Sequence, residues 1–413
     1  MNATVITVGD EILIGQTIDT NSAWIGQKFS ELGVKLYEII SCGDVAEQIV
    51  SALQRAESTS QIILLTGGLG PTKDDITKKT LVEYFNTELE LNEEVWGRMK
   101  QIFEKRGLQV LEMNRSQAMI PKASTMLPNM RGTAQGMWFN KDGKVIVSMP
   151  GVPYEMKHLM EEQVLPRLRE TFSFPNIVHA TLMTAGAGES VVANKLADFE
   201  NELPAYIKLA YLPELGMVKL RLTASGEGDA IKHEVAAQKD KMKAVLGNLV
   251  YCEGEDKLEM VVGQMLQQQG ATVSCAESCT GGYISHLFTS VAGSSQYFEG
   301  SVVCYSYDVK EKTLGVKRQT LEKYGAVSEE CVSEMLEGVL KLTGTTYGIA
   351  VSGIAGPGGA TLDKPVGTVW IGVGTVDKRV VKQFKFFTSR TENIRVFSAA
   401  AINMLRLLMM ENR

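Results

Sequence analysis

Short apolar runs that stop at glycine turns, alternating with segments of helical spacing, predict an α/β protein with a smaller α+β module between two such units. Residues 3–8 and 62–66 are compact apolar runs closed by Gly9-Asp10 and Gly67-Gly68, as expected of strands buried on both faces of a largely parallel sheet. Between them, residues 22–32 place Trp24, Ile25, Phe29 and Leu32 on one face of a helix. A strand followed by a Gly-Pro loop recurs as TGGLGP at 66–71, MPGVP at 149–153 and SGIAGP at 352–357. Ligands of open α/β sheets sit at the carboxyl ends of strands, so each loop is a candidate mouth of a site.

The remaining elements follow in order. Residues 34–40 read as a strand, 45–56 as a helix and 145–149 as a strand ending in Pro150-Gly151-Val152-Pro153. A helix at 156–171 stops near Pro175, which closes a first domain at 1–172. A β-α-β-β-α series comes next: strand 177–183, helix 189–201, strands 207–212 and 218–224, and a charged helix 229–246. This module, 173–252, is similar to a KH domain in its order of elements, without the GXXG clamp through which KH domains hold RNA. The composition turns polar at Glu253-Gly254-Glu255-Asp256, where the third domain, 253–413, begins. It contains helix 258–268, strand 271–276, loops rich in Gly and Ser, and helix 329–343. Strands 347–352, 367–374 and 380–387 follow, then a final helix from Glu392.

Composition narrows the chemistry. The 413 residues carry a net charge of -6 and no basic tract, so neither nucleic acid nor an anionic membrane is an expected partner. Only four histidines occur, scattered singly at 158, 179, 233 and 286, which removes HExxH and C2H2-type metal sites. Six cysteines without a CxxC pair read as reduced thiols of a cytoplasmic protein. The first residues lack the basic segment and cleavage site of a signal peptide. The apolar segment 399–410 is interrupted by Asn403 and Arg406 and is too short to span a bilayer.

In the first domain, Gly67, Gly68 and Gly70 let backbone N–H groups approach an anion. A helix starting near Asp74 would aim its positive end at a phosphate, and Asp74 with Asp75 could hold Mg²⁺ against phosphate oxygens. The alternative is that the two acids serve only the helix start. GK[ST] is absent, so this is not a nucleoside-triphosphate loop. GDEILIGQTIDTNSAWIGQKFSELGV at 9–34, TGGLGPTKDD at 66–75 and PGVPYEM at 150–156 resemble the molybdopterin-binding-like domain of CinA-family proteins. The resemblance implies a metal-dependent ADP-ribose pyrophosphatase that uses Mg²⁺ or Co²⁺, with K⁺ as a further ion. It assigns Asp10, Glu11, Asn21, Asp44, Gly67, Gly68, Gly70, Thr133, Gly151 and Glu155 to the substrate and Asp74 and Asp75 to the metal. Asp44 also fits as an N-cap before Val45, and Asn21 and Glu155 as capping or inward-facing polar residues.

In the third domain, Ala276-Glu277-Ser278-Cys279-Thr280-Gly281-Gly282 follows a strand and opens a helix, exposing a small nucleophile at a tight turn beside free N–H groups. The GxSxG elbow is absent. Serine needs a base, and a lysine withdrawn from water can serve, as in Ser-Lys hydrolases; Lys310 in Tyr305-Ser306-Tyr307-Asp308-Val309-Lys310 is the candidate, with His286 two turns up the helix as another. AESCTGG at 276–282, AGSS at 292–295, GSVVCYS at 300–306, SGIAGPGG at 352–359 and KPVGTVW at 364–370 resemble nicotinamide-nucleotide amidases, the C-terminal domain of CinA-family proteins.

That resemblance implies hydrolysis of nicotinamide mononucleotide to nicotinate mononucleotide and ammonia, without a cofactor. Ser278 would be the nucleophile, Lys310 the base and Tyr305 an assisting group, with Thr280 and Gly281 as oxyanion donors. Glu277, Gly282, Ser294, Ser352, Gly353 and Gly356 would surround the nucleotide. Tyr307 replaces the Asn common in the family, and a Glu277-Lys310-Cys279 set is the competing arrangement. A homodimer is expected from the resemblance. Two further readings stay open: an N-terminal molybdopterin or nucleotide sensor without chemistry, and an interaction protein of competence or recombination.

Overall fold

The computed structural model describes residues 1–413 except 73, 106, 108, 110, 111, 227, 228, 412 and 413. Lys73 of the glycine-rich segment therefore lies outside the described residues. The chain divides into two compact units, residues 1–177 with 225–227, and residues 178–224 with 228–413.

The first unit is built on a six-stranded sheet in the order Lys35–Cys42, Asn2–Val8, Ile62–Thr66, Lys144–Met149, Gly136–Lys141, Thr125–Leu127. The first four are parallel and the last two antiparallel. Ile62–Thr66 is buried along its whole length because apolar layers cover both faces. Asp19 caps the helix Thr20–Leu32 by accepting from Ser22 N–H, and Gly33, with φ 74°, ends it. The expected helix at 156–171 starts earlier, at Pro153, and passes through a π turn, Met160–Val164. Pro166 explains that turn: without an N–H it cannot make the α-helical bond four residues back. Residues 77–141 add a helix Thr77–Tyr84, an antiparallel pair of Leu89–Leu91 with Met119–Pro121, and a helix Glu93–Lys105; the pair and the second helix are not apparent from periodicity.

The second unit holds two sheets. A four-stranded one, ordered Ile207–Glu214, Met217–Ser225, Ile177–Ala185, Val250–Glu253, packs against the helices Glu189–Asn201 and Asp229–Leu246. The other is five-stranded, ordered Phe298–Val303, Val273–Glu277, Tyr347–Gly353, Thr368–Gly374, Arg379–Lys385. Its first three strands are parallel and the last two antiparallel. The edge strand Phe298–Val303, only half-buried and interrupted by Gly300, was invisible in the apolar pattern.

The last helix, Arg390–Glu411, is long and apolar enough to cross a membrane by composition, but most of it is buried inside the protein. Arg406 within it is 2% exposed and donates to Asn403 Oδ1 and to the carbonyls of Val250 and Asn248. The arginine thus ties this helix to the start of strand Val250–Glu253. All six cysteines are free thiols, five of them buried.

Candidate active sites

The carboxyl end of strand Val273–Glu277 positions the first site. Ser278 continues the strand by one bond, its N–H donating to Val351 O at 3.0 Å. The chain then turns sharply: Gly281 and Gly282 have φ of 62° and 95°, which only glycine adopts readily in succession. The helix Tyr283–Thr289 starts immediately after.

Lys310 reaches the same point from helix Tyr307–Leu314, whose N-terminus is capped by the Ser306 hydroxyl at Val309 N. Lys310 is 0% exposed, and its Nζ lies 2.9 Å from Ser278 Oγ, 2.5 Å from Cys304 O and 3.3 Å from Tyr305 O. Among the described residues no carboxylate pairs with it. Two of its three partners are carbonyls, which can only accept. A neutral amine would give its two N–H groups to those carbonyls and turn its lone pair toward Oγ–H. That is the arrangement of a general base on a serine nucleophile.

Glu277 is not at the surface of this site, contrary to expectation. It is 0% exposed and folded beneath the turn, where its carboxylate accepts from Gly282 N (3.0 Å), Ile284 N (3.1 Å) and Ser285 N (2.9 Å). The hydroxyls of Ser285 (2.5 Å) and Ser301 (3.4 Å) complete its shell. These bonds supply acceptors to the orphan N–H groups of the helix start and lock the turn that carries Ser278.

Several other expected roles change. Gly281 N–H is spent on Ser278 O at 3.2 Å, so it is not a free oxyanion donor. Among the described residues the amides of Cys279 and Thr280 have no acceptor. The Tyr305 phenol is 64% exposed and meets Arg390 Nη2 at 3.4 Å; the residue touches Lys310 only through its carbonyl. His286 is exposed on the helix and bonds neither Ser278 nor Lys310.

Ser352 is buried and donates to Ala326 O at 2.7 Å, while Tyr307 accepts from Ala326 N at 3.3 Å. Both side chains therefore hold the 325–326 loop rather than facing a ligand. Gly353 is glycine because a Cβ would stand 2.8 Å from Thr368 O on the neighbouring strand. Ser294 is misplaced altogether. It precedes the amino end of strand Phe298–Val303, whereas Ser278 and Lys310 gather at the carboxyl ends, roughly 20 Å away at 3.3 Å per residue. Burial pushes the Cys279 thiol up to about 12, the wrong direction for a thiolate nucleophile.

The second site is a cavity of about 560 Å³ at the carboxyl ends of the strands of the first unit. It is lined by Glu11, Asn21, Asp44, Gly67, Gly68, Gly70, Asp74, Asp75, Thr133, Gly151 and Glu155. Gly67 and Gly68 are required by close approach: a Cβ would fall 2.0 Å from Val8 O and 2.1 Å from Thr77 Oγ1. Asn21 donates to Thr66 Oγ1 (3.1 Å) and Gly151 O (2.8 Å), leaving its buried Oδ1 without a partner. Glu155 is buried, accepts from Asn129 at 2.6 Å and presses on Gly132, bracing the loop that presents Thr133.

Three expectations fail here. Asp10 does not line the cavity; it accepts from Asp44 N at 3.3 Å while Asp44 accepts from Asp10 N at 3.1 Å. The helix begins at Thr77, not near Asp74. Asp75 is committed to its own loop, accepting from Gly70 N at 2.7 Å and Thr72 N at 2.9 Å. Burial, and then the like charges of Asp10, Glu11 and Asp75, hold Asp44 above the usual aspartate range against one opposing backbone bond. Such unrelieved negative charge fits a cation. Among the described residues no three metal-binding side chains converge, so a cation here would complete its shell with ligand oxygens or water, as Mg²⁺ commonly does.

With the geometry in place, comparison decides the family. A "CinA-like protein" of Cytophaga hutchinsonii is 46% identical over 405 residues, spanning 98% of this chain and 97% of the relative. The chain belongs to the CinA family. A second "CinA-like protein", from Flavobacterium psychrophilum, is 41% identical and spans 100% of this chain and 99% of its own. Family models match residues 4–170 ("Probable molybdopterin binding domain"), 179–252 ("Damage-inducible protein CinA KH domain") and 255–409 ("CinA C-terminal domain"). A solved CinA superfamily protein from Klebsiella pneumoniae is 31% identical, covering 37% of this chain and 96% of its own, with a TM-score of 0.37.

One residue of this CinA-family chain escaped the sequence reading. Arg390 sits at the start of the last helix, donates to Gly356 O at 2.6 Å and meets Tyr305 Oη. It is an exposed cation next to the serine site, suited to an anionic group. Nothing in its local sequence, Ser389-Arg390-Thr391-Glu392, distinguished it from any other surface arginine.

Proposed function

We propose that the C-terminal domain hydrolyses the amide of nicotinamide mononucleotide to nicotinate mononucleotide and ammonia. The observation that carries this is the buried Lys310 Nζ, 2.9 Å from Ser278 Oγ and otherwise bonded only to carbonyls. Ser278 Oγ would attack the amide carbon as Lys310 takes its proton, and the Cys279 and Thr280 amides would hold the oxyanion. Oxyanion donors of this kind contribute about 2.7–4 kcal/mol each. The proton then passes from Lys310 to the leaving nitrogen, ammonia departs, and water attacks the resulting ester by the reverse relay. Arg390 would hold the phosphate. The test is an ammonia-release assay on nicotinamide mononucleotide, in which a silent wild type ends the reading. Cys279→Ala is expected to keep activity within about threefold, since its thiol is raised rather than activated. If that variant is dead and Ser278→Ala is active, the nucleophile is the thiol.

The N-terminal cavity supports a second activity, metal-assisted hydrolysis of the diphosphate of ADP-ribose. Glu11 and Asp44, with Asp74 at the rim, would hold the divalent cation, and the 67–70 backbone would lie along the phosphates. The metal supplies charge neutralisation of the diphosphate.

Asp44 gives a direct check. Its carboxyl is raised in the folded protein, so the ionised form is penalised at neutral pH and the penalty vanishes as pH falls below the ordinary aspartate value. Asp44→Asn should therefore raise stability at pH 7 and leave it unchanged at low pH. In the pH interval just above the ordinary aspartate range, adding Mg²⁺ should release a proton from wild type and none from the variant. Proton release unaffected by the substitution would remove Asp44 from the cation site.

A further inference from the structure

The tip of the hairpin formed by Ile207–Glu214 and Met217–Ser225 meets three helices, Leu258–Gln269, Tyr283–Thr289 and Arg390–Glu411, around a cavity of about 360 Å³. Its walls are chiefly apolar, with Met183, Met217, Tyr251, Leu287 and Ile402 among them. The volume falls at the lower end of small-molecule sites, which run from roughly 300 to 1,000 Å³. Glu214, Lys257 and Arg395 are exposed at the rim, and Lys219 pairs with Glu255 at 2.5 Å.

Glu259 is different. It lines the cavity from the first turn of helix Leu258–Gln269, is only 8% exposed, and among the described residues has no hydrogen-bond or ion-pair partner. Its place in the first turn of a helix favours its negative charge. No donor of the chain engages the carboxylate among the described residues, which leaves it open to a group in the cavity. A cationic donor in the cavity would satisfy it. Surrounding apolar side chains make that group the charged end of an otherwise apolar molecule.

We propose that this cavity binds a small organic cation, its apolar body against Met217, Tyr251 and Leu287 and its charged nitrogen on the Glu259 carboxylate. No residue of the Ser278–Lys310 pair lines it, and the proposal stands whether or not that pair is an amidase.

Benzamidine, a flat amidinium, and benzoate, its anionic counterpart, separate the possibilities by calorimetry on the full chain. Benzamidine is expected to bind wild type and to lose at least about tenfold in affinity to Glu259→Gln, the loss expected for a charge-assisted bond. Benzoate should not bind. Glu259→Gln should unfold within a few degrees of wild type, because glutamine keeps the volume and the carboxylate makes no bond within the chain, so the loss is not one of folding. Absence of benzamidine binding, equal affinity in Glu259→Gln, or equal binding of benzoate each overturns the proposal. So does benzamidine displaced by saturating nicotinamide mononucleotide, which would place it at the serine site.

Discussion

Ser278→Ala is expected to reduce ammonia release from nicotinamide mononucleotide by about 10⁴-fold or more, with a melting temperature close to wild type. The hydroxyl is small and near the surface at 8% exposure, so its removal opens no large cavity. Lys310→Met is expected to lose activity by the same order for a different reason: the methionine keeps the apolar stem of the side chain but has no nitrogen to take the proton. Because Nζ touches Oγ directly, the two act in one step, and groups that act as a unit are strongly non-additive. The double variant should therefore be no slower than either single one. A double variant slower by the product of the two single losses would mean that serine and lysine work on separate steps, and the proposed relay would be wrong. Steady-state ammonia release, with unfolding of each variant in parallel, reads both outcomes.

Glu277→Ala should be the most destabilising single change at this site, by about 4 kcal/mol for three backbone amides that lose a buried acceptor. Glu277→Gln keeps the volume and one oxygen but points an NH2 at a donor, and should cost about 2 kcal/mol. Glu277 lies beneath the turn and is a positioning residue. In the glutamine variant kcat should fall while KM stays near wild type, because the nucleotide surface is untouched and the Ser278 turn has loosened. A Glu277→Ala protein that melts and turns over like wild type would show that the turn holds itself. A glutamine variant changed only in KM would place Glu277 on the substrate instead.

The glycine loop of the N-terminal cavity was legible because it closes a strand, and strand ends converge in a parallel sheet; the other residues of the cavity were assigned by the family resemblance. Glu11, Asn21, Asp44, Gly67, Gly68, Gly70, Thr133, Gly151 and Glu155 are distant in sequence yet line one cavity. The sequence did not reveal which carboxylates are committed elsewhere. Asp10 and Asp75 have the right type and place, but backbone amides of residues 44, 70 and 72 occupy them. Ser294 shows the opposite error: a motif adjacent in the chain to useful strands sits at their wrong ends.

The sequence by itself determined the alternation of strands and helices and the glycines at the strand-end turns; the pairing of one serine with one lysine came only through the family resemblance. The alternation and the glycines follow from local rules, since periodicity and backbone freedom are properties of neighbouring residues. Tertiary structure alone decided that Glu277 supports rather than binds, that Tyr305 turns toward Arg390, and that Glu259 is left without a partner. The physical reason is common to all three. Whether a polar group is free depends on which donors and acceptors the fold brings within about 3 Å of it, and those come from residues far away in the chain.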